Sequence, residues 1–212
     1  GICNMTGLRR TISWTSTEAF LRVLNVRHKD TAKHSLRVSS VAVEIGSAMN
    51  IGYRQLTQLC VGTLLHDIGK LAIPDATLNK PAPLTDEERE MLKSHPVVGC
   101  SLVGWVEHLS AARYVVLYHH ERYDGLGYPL GLKGEDIPLL ARICSVADAL
   151  DAMLTERPYR KKLTILQALM EVRRCKGTQF SPNVVEALQL LDPEKLTRPE
   201  HPIIPDLGWD FF

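Results

Sequence analysis

The chain has 212 residues, 45% of them hydrophobic and 23% charged, with a formal net charge of +1. That length suits one medium domain with a real core, and so small a charge excludes a broad field drawing the protein to DNA, RNA or an anionic membrane. The longest apolar runs fall well short of the roughly 20 residues that span a bilayer, which excludes membrane insertion by this chain, and no basic-then-apolar leader opens it.

In chain order, helical periodicity dominates and strand-like alternation is nearly absent, so an all-α fold is expected. Thr17–Arg27 reads as a short amphipathic helix within an N-terminal helical extension, residues 1–27. Asp30–Met49 is a longer helix with Val38, Val41 and Ile45 on one stripe. Gly52 separates it from the apolar helix Leu56–Leu65, which runs into His66-Asp67-Ile68-Gly69-Lys70. Pro74, Pro81 and Pro83 mark an irregular crossover. Thr85 followed three residues later by Glu88 reads as a capping box opening Asp86–Lys93. A further helix starts at His95-Pro96, where proline suits a first turn. Ala111–His120 is helical and ends before the glycine-rich stretch Asp124–Gly134. Pro138 opens a long helix through Leu154, and Pro158 closes it. Ile165–Arg174 and Val184–Leu191 complete the main domain, 28–192, and residues 193–212 form a proline-rich tail. The five cysteines (Cys3, Cys60, Cys100, Cys144, Cys175) are widely spaced among apolar neighbours, which suits reduced packing thiols rather than disulfides.

Most of the eight histidines do not sit where a solvated histidine would. His34 shares the inward face of Val38 and Val41. Asp67 continues the stripe of Cys60 and Leu64, and His66 adjoins it. His119 and His120 end an apolar helix, and Asp148 lies mid-helix among Cys144, Ala147 and Ala152. Any one inward histidine is ordinarily a hydrogen-bonded core residue. Together, such buried ionisable groups would each cost several kcal/mol, roughly, unless they share a partner. A bound cation is the simplest shared partner, with neutral imidazoles and carboxylates as its ligands. His28, His108 and His201 fit no such pattern and are expected at helix ends or on the surface.

These residues carry a resemblance. His66-Asp67-Ile68-Gly69-Lys70, Ser94-His95-Pro96 and the run His119-His120-Glu121-Arg122-Tyr123-Asp124-Gly125-Leu126-Gly127-Tyr128-Pro129 are similar to the HD-GYP group of the HD superfamily. Asp148-Ala149-Leu150-Asp151-Ala152 and Arg157-Pro158-Tyr159-Arg160 continue it in order and spacing. The resemblance implies a helical bundle with a metal centre in its core, holding two or three divalent ions, iron or manganese. It implies hydrolysis of cyclic di-GMP to pGpG and onward to GMP, by metal-activated hydroxide attacking phosphorus, in the bacterial cytoplasm.

By motif position it makes His66, Asp67, His95, His119, His120 and Asp148 metal ligands, with Asp67 bridging. His34 matches an upstream histidine used with a third ion, and Asp30 stands where three-metal members carry glutamate. A helix N-cap is the ordinary alternative for Asp30. Lys70 is implied as a phosphate contact, against the plainer reading of a lysine placed by a helix dipole. Arg157 and Arg160 are implied on substrate, against a surface cluster with Lys161 and Lys162. Tyr128 either stacks on guanine or packs its own loop. The resemblance also admits a non-catalytic module that binds cyclic dinucleotide, or a diguanylate cyclase domain through the GYP loop.

Overall fold

The computed structural model describes residues 14–156 and 161–197. Its helices are α1 (Trp14–Arg27), α2 (Lys29–Ala48), α3 (Tyr53–Leu65), α4 (Asp75–Leu78), α5 (Asp86–Lys93), α6 (His95–Gly104), α7 (Arg113–Tyr118), α8 (Leu139–Leu154), α9 (Ile165–Arg174) and α10 (Pro182–Gln189). Among the described residues the one trace of β structure is an isolated bridge between Lys176 and Phe180. The fold is all-helical, as the periodicity requires. Arg157, Arg160 and the segment from Pro199 onward lie outside the described residues.

The elements follow the sequence signals closely, because each signal is local. The Thr85 hydroxyl accepts from the Glu88 N–H, and the Glu88 side chain accepts from the Thr85 N–H, closing the capping box. A second box, Thr164 with Gln167, opens α9. The proline crossover after α3 is more ordered than expected: it carries a 3₁₀ turn, Ile68–Ala72, and the single turn α4. The 3₁₀ turn places Gly69 against α6, a long-range contact that no local pattern announces.

Two apolar clusters share α2 and α3. One gathers Val38, Val41, Ala42 and Ile45 of α2 with Leu59, Val115 and the inner faces of α8, α9 and α10. The other joins Leu21 and Leu24 of α1 to Leu36, Val43, Leu64, Leu65, Val103 and Val116. Each such side chain contributes about 1.5–3 kcal/mol when fully buried, so α1 is part of the packed body and not a loose arm. Cys60 and Cys144 are fully buried in these clusters, while Cys100 and Cys175 are half-buried. Cys3 lies outside the described residues. Among the described residues no helix is long and apolar enough to cross a membrane.

Between the two clusters, the inner face of α2 and the C-terminal ends of α3 and α7 converge with the start of α6 and the middle of α8. The polar residues of interest sit at that junction.

Candidate metal centre

His66 caps the C-terminus of α3, and its Nδ1 donates to the Thr63 carbonyl at 2.7 Å. His95 follows α5 and donates from Nδ1 to the Leu92 carbonyl at 2.7 Å. His119 caps α7 and donates to the Val116 carbonyl at 2.8 Å. In each case the acceptor is a carbonyl three residues back, among those a helix end leaves without an intrahelical partner. The same local geometry therefore fixes one tautomer three times, with the proton on Nδ1 and a bare Nε2. All three rings are buried, and their bare nitrogens face one another.

Asp67 sits at the middle of this set, with its side chain 2% exposed. Its Oδ1 is 3.3 Å from His95 Nε2, and its Oδ2 is 3.5 Å from His66 Nε2 and 2.6 Å from Lys70 Nζ. Burial alone would raise its pKa, but the Lys70 ammonium, with His66 and His95, outweighs this and holds it well below the carboxylate range. From the far side, His34 Nε2 lies 3.1 Å from Asp148 Oδ1 and 4.0 Å from Asp67 Oδ2. Burial would likewise raise Asp148, and its hydrogen bond and charge pairing with His34 hold it far down. His120 rests against His119, ring centroids 4.1 Å apart, and burial lowers its pKa to about 4. Burial also pushes the pKa values of His66 and His119 down.

Three overlapping groups of donor atoms result: His95, His119 and His120; His34, His66 and Asp148; His66, Asp67 and His119. Whether these residues fit a cation can be tested on three atoms, the Nε2 nitrogens of His66, His95 and His119. His66 Nε2 is sealed from solvent without a hydrogen-bond partner, which ordinarily costs about 1–3 kcal/mol. His95 Nε2 and His119 Nε2 stand 3.2 Å apart, each with its proton committed to the other ring nitrogen. Two facing lone pairs repel; a cation between them satisfies both. The donor set of neutral imidazoles and carboxylates fits a divalent transition ion.

Seven of the residues singled out in the sequence as metal ligands thus share one junction. Asp30 does not join them. It is exposed in the first turn of α2 and belongs to none of the three groups. Nor is it the N-cap, because α2 starts one residue earlier and His28 takes that position. His28 is at a helix end, as expected, but buried. His34 shares a donor group with His66 and Asp148.

The profile of the HD domain family matches residues 18–184, most of the chain. The chain belongs to the HD domain family. The chain is 39% identical over 79% of its length to the "Cyclic di-GMP phosphodiesterase response regulator RpfG" of Xanthomonas campestris pv. campestris. It is 38% identical over 82% of its length to a "Cyclic di-GMP phosphodiesterase" of Thermotoga maritima. The chain spans about half the length of these curated relatives, 45% and 49%. A solved cyclic GMP-AMP phosphodiesterase of V. cholerae, V-cGAP3, superposes with a TM-score of 0.63 at 21% identity, over 78% of this chain and 46% of that one. At that identity the likeness speaks to the fold. The HD-GYP resemblance holds, and the motifs that carry it lie within the matched stretch.

The HD domain also contains functional geometry that the sequence reading passed over. Glu121 is 2% exposed. Its carboxylate accepts from the N–H of Leu130 at 2.7 Å and of Leu132 at 3.1 Å, folding the glycine-rich loop back on itself. Gly127 lies so close to the backbone of residues 120–122 that a Cβ there would meet Arg122 N at 2.3 Å. Tyr128 then donates its N–H to the His120 carbonyl at 3.2 Å and stacks its ring on the His120 ring, centroids 4.8 Å apart. The position of Glu121, directly after two inward histidines, was the available signal. Charge-assisted bonds of this kind contribute roughly 1.5–3 kcal/mol. Glu121→Gln, which turns one acceptor oxygen into a donor facing an N–H, is expected to destabilise the protein by about 2 kcal/mol. Amide exchange of Leu130 and Leu132 should accelerate most; unchanged exchange there would refute the clamp.

Proposed function

We propose that this HD domain is a metal-dependent phosphodiesterase that hydrolyses cyclic di-GMP to linear pGpG, with GMP the product when both phosphodiesters are cut. The observation that carries the reading is the seven-donor junction, in which three buried imidazoles turn bare Nε2 atoms towards one ionised carboxylate. The substrate class is supported by the names borne by the curated relatives.

Two ions, iron or manganese, suit three donor groups of which one overlaps the others through His66 and His119. Asp67, with the six other donors of the junction, would hold them. When bound, such ions supply Lewis acidity, making hydroxide available near neutral pH and offsetting charge on the phosphoryl oxygens.

The chain's own residues do the rest. Helix-end carbonyls hold His66, His95 and His119 in the ligating tautomer. Lys70 keeps Asp67 ionised and, at 23% side-chain exposure, reaches outward to a phosphate oxygen. Tyr128, seated on His120, forms one wall for a guanine base to stack against. Arg157 and Arg160 are assigned to the substrate phosphates on their motif alone. The catalytic unit is taken as residues 28–192, after the extension 1–27 and before the tail 193–212, in the bacterial cytoplasm. The same loop exposes Leu126 and Leu130, a surface suited to a diguanylate cyclase domain as partner.

Protein stripped by a chelator is expected to lose turnover of cyclic di-GMP by about a hundredfold or more and to regain it with Mn²⁺ or Fe²⁺. Chromatography of the products then reads pGpG and GMP, and cyclic GMP-AMP run in parallel measures base preference. A metal-loaded chain that binds cyclic di-GMP without cleaving it would establish the non-catalytic module instead.

A further inference from the structure

The histidines of the junction differ in how they are aimed. His66, His95 and His119 each use a carbonyl freed at a helix end. His34 has no such carbonyl, because it lies in the second turn of a 20-residue helix whose neighbouring carbonyls are committed to its own ladder. Its acceptor comes from another helix: Asp151 Oδ2, on α8, takes the His34 Nδ1 proton at 2.7 Å.

Asp151 is itself held on both oxygens. Arg37, one turn beyond His34 on α2, donates from Nε to Oδ1 at 2.6 Å and from Nη2 to Oδ2 at 3.0 Å. The Thr155 hydroxyl donates to Oδ2 at 3.4 Å. The Asp151 side chain is 6% exposed, so this geometry is sheltered from competing water. With Nδ1 committed to Asp151, His34 presents Nε2 to Asp148 and Asp67.

We propose that Asp151, locked by Arg37, is a positioning residue that sets the tautomer and aim of His34 and thereby the ion affinity of the His34, His66 and Asp148 group. It ligates nothing itself. This inference rests on the metal-centre reading above and assigns a role to a carboxylate that would otherwise count only as a salt bridge between α2 and α8.

The test is a Mn²⁺ titration of metal-stripped protein followed by electron paramagnetic resonance, with melting of the metal-free protein in parallel. Loss of an outer hydrogen-bond partner typically weakens ion binding about 10–100-fold. Asp151→Asn, whose amide must offer a donor to either Arg37 or His34, is expected to weaken one class of sites by that factor. The class held by His95, His119 and His120 should stay within about twofold, since none of them contacts Asp151. Arg37→Lys, which keeps the charge but loses the fork, should weaken the same class by a smaller factor and serves if Asp151→Asn fails to fold. In a His34→Ala background, Asp151→Asn should change the affinity by less than about twofold, the signature of action through His34. A wild-type isotherm for Asp151→Asn, or equal weakening with and without His34, would overturn the inference and leave the enzyme reading standing. A wild-type chain that takes up no ion would overturn both.

Discussion

Asp67→Asn is expected to reduce turnover of cyclic di-GMP by about a thousandfold or more, beyond the roughly 10–100-fold that loss of an outer partner costs. The carboxylate lies within 4 Å of His34, His66, His95 and Lys70 at once, so no neighbour can substitute for it. The amide is nearly isosteric but neutral, and it leaves the Lys70 ammonium facing a dipole where it had a charge. A thermal shift separates lost ion binding from lost chemistry. At an ion concentration about 100-fold above its Kd, binding stabilises by roughly 2.7 kcal/mol, a rise of about 5–11 °C for a domain of this size. Wild type should show that rise on adding Mn²⁺, and Asp67→Asn should show little of it. A variant that kept both the shift and the turnover would remove Asp67 from the centre of the site.

Gly69→Ala is expected to cost the most stability of any single methyl added at this site. A Cβ at Gly69 would stand 1.9 Å from the His95 carbonyl oxygen and 2.7 Å from Gly99 N. Both obstacles are backbone, so no rotamer relieves them, and the 3₁₀ turn must part from α6. Overpacking typically costs 1–3 kcal/mol, and with rigid neighbours about 3 kcal/mol or more is expected, a fall of roughly 6–12 °C in melting temperature. The same parting pulls His95 away from Asp67, now 3.3 Å apart, so ion affinity should fall as well. Gly104→Ala at the far end of α6 is the control. Its Cβ would meet only Arg113, at 3.9 Å, and a helical alanine there should be neutral or stabilising by up to about 1 kcal/mol. Equal melting temperatures for the two variants would show that the approach of Gly69 to α6 is not a packing constraint.

The sequence carried the helices and the identity of the donors because both are written locally. Apolar spacing near 3.6 marked α2, α3 and α8 within a few residues of their observed ends, and polar side chains on those stripes marked His34, Asp67 and Asp148 as out of place. The position of Asp30 turned on a local detail too. The helix began one residue early, at Lys29, which left the aspartate in an exposed first turn.

What the chain alone did not disclose is contact between distant segments. Arg37 and Asp151 are separated by 114 positions, and their pairing leaves no periodic trace in either helix. Gly69 looks like any turn glycine until the His95 carbonyl is found against it, and Glu121 like any surface acid until two loop amides are found on its oxygens. By itself the sequence determined which residues lie in helices and which side chains must be hidden, since burial of one face is enough to impose that pattern. Only the tertiary structure decided which hidden groups meet and at what distance. That follows from the packing of whole helices, where a shift of one ångström exchanges a ligand for a clash.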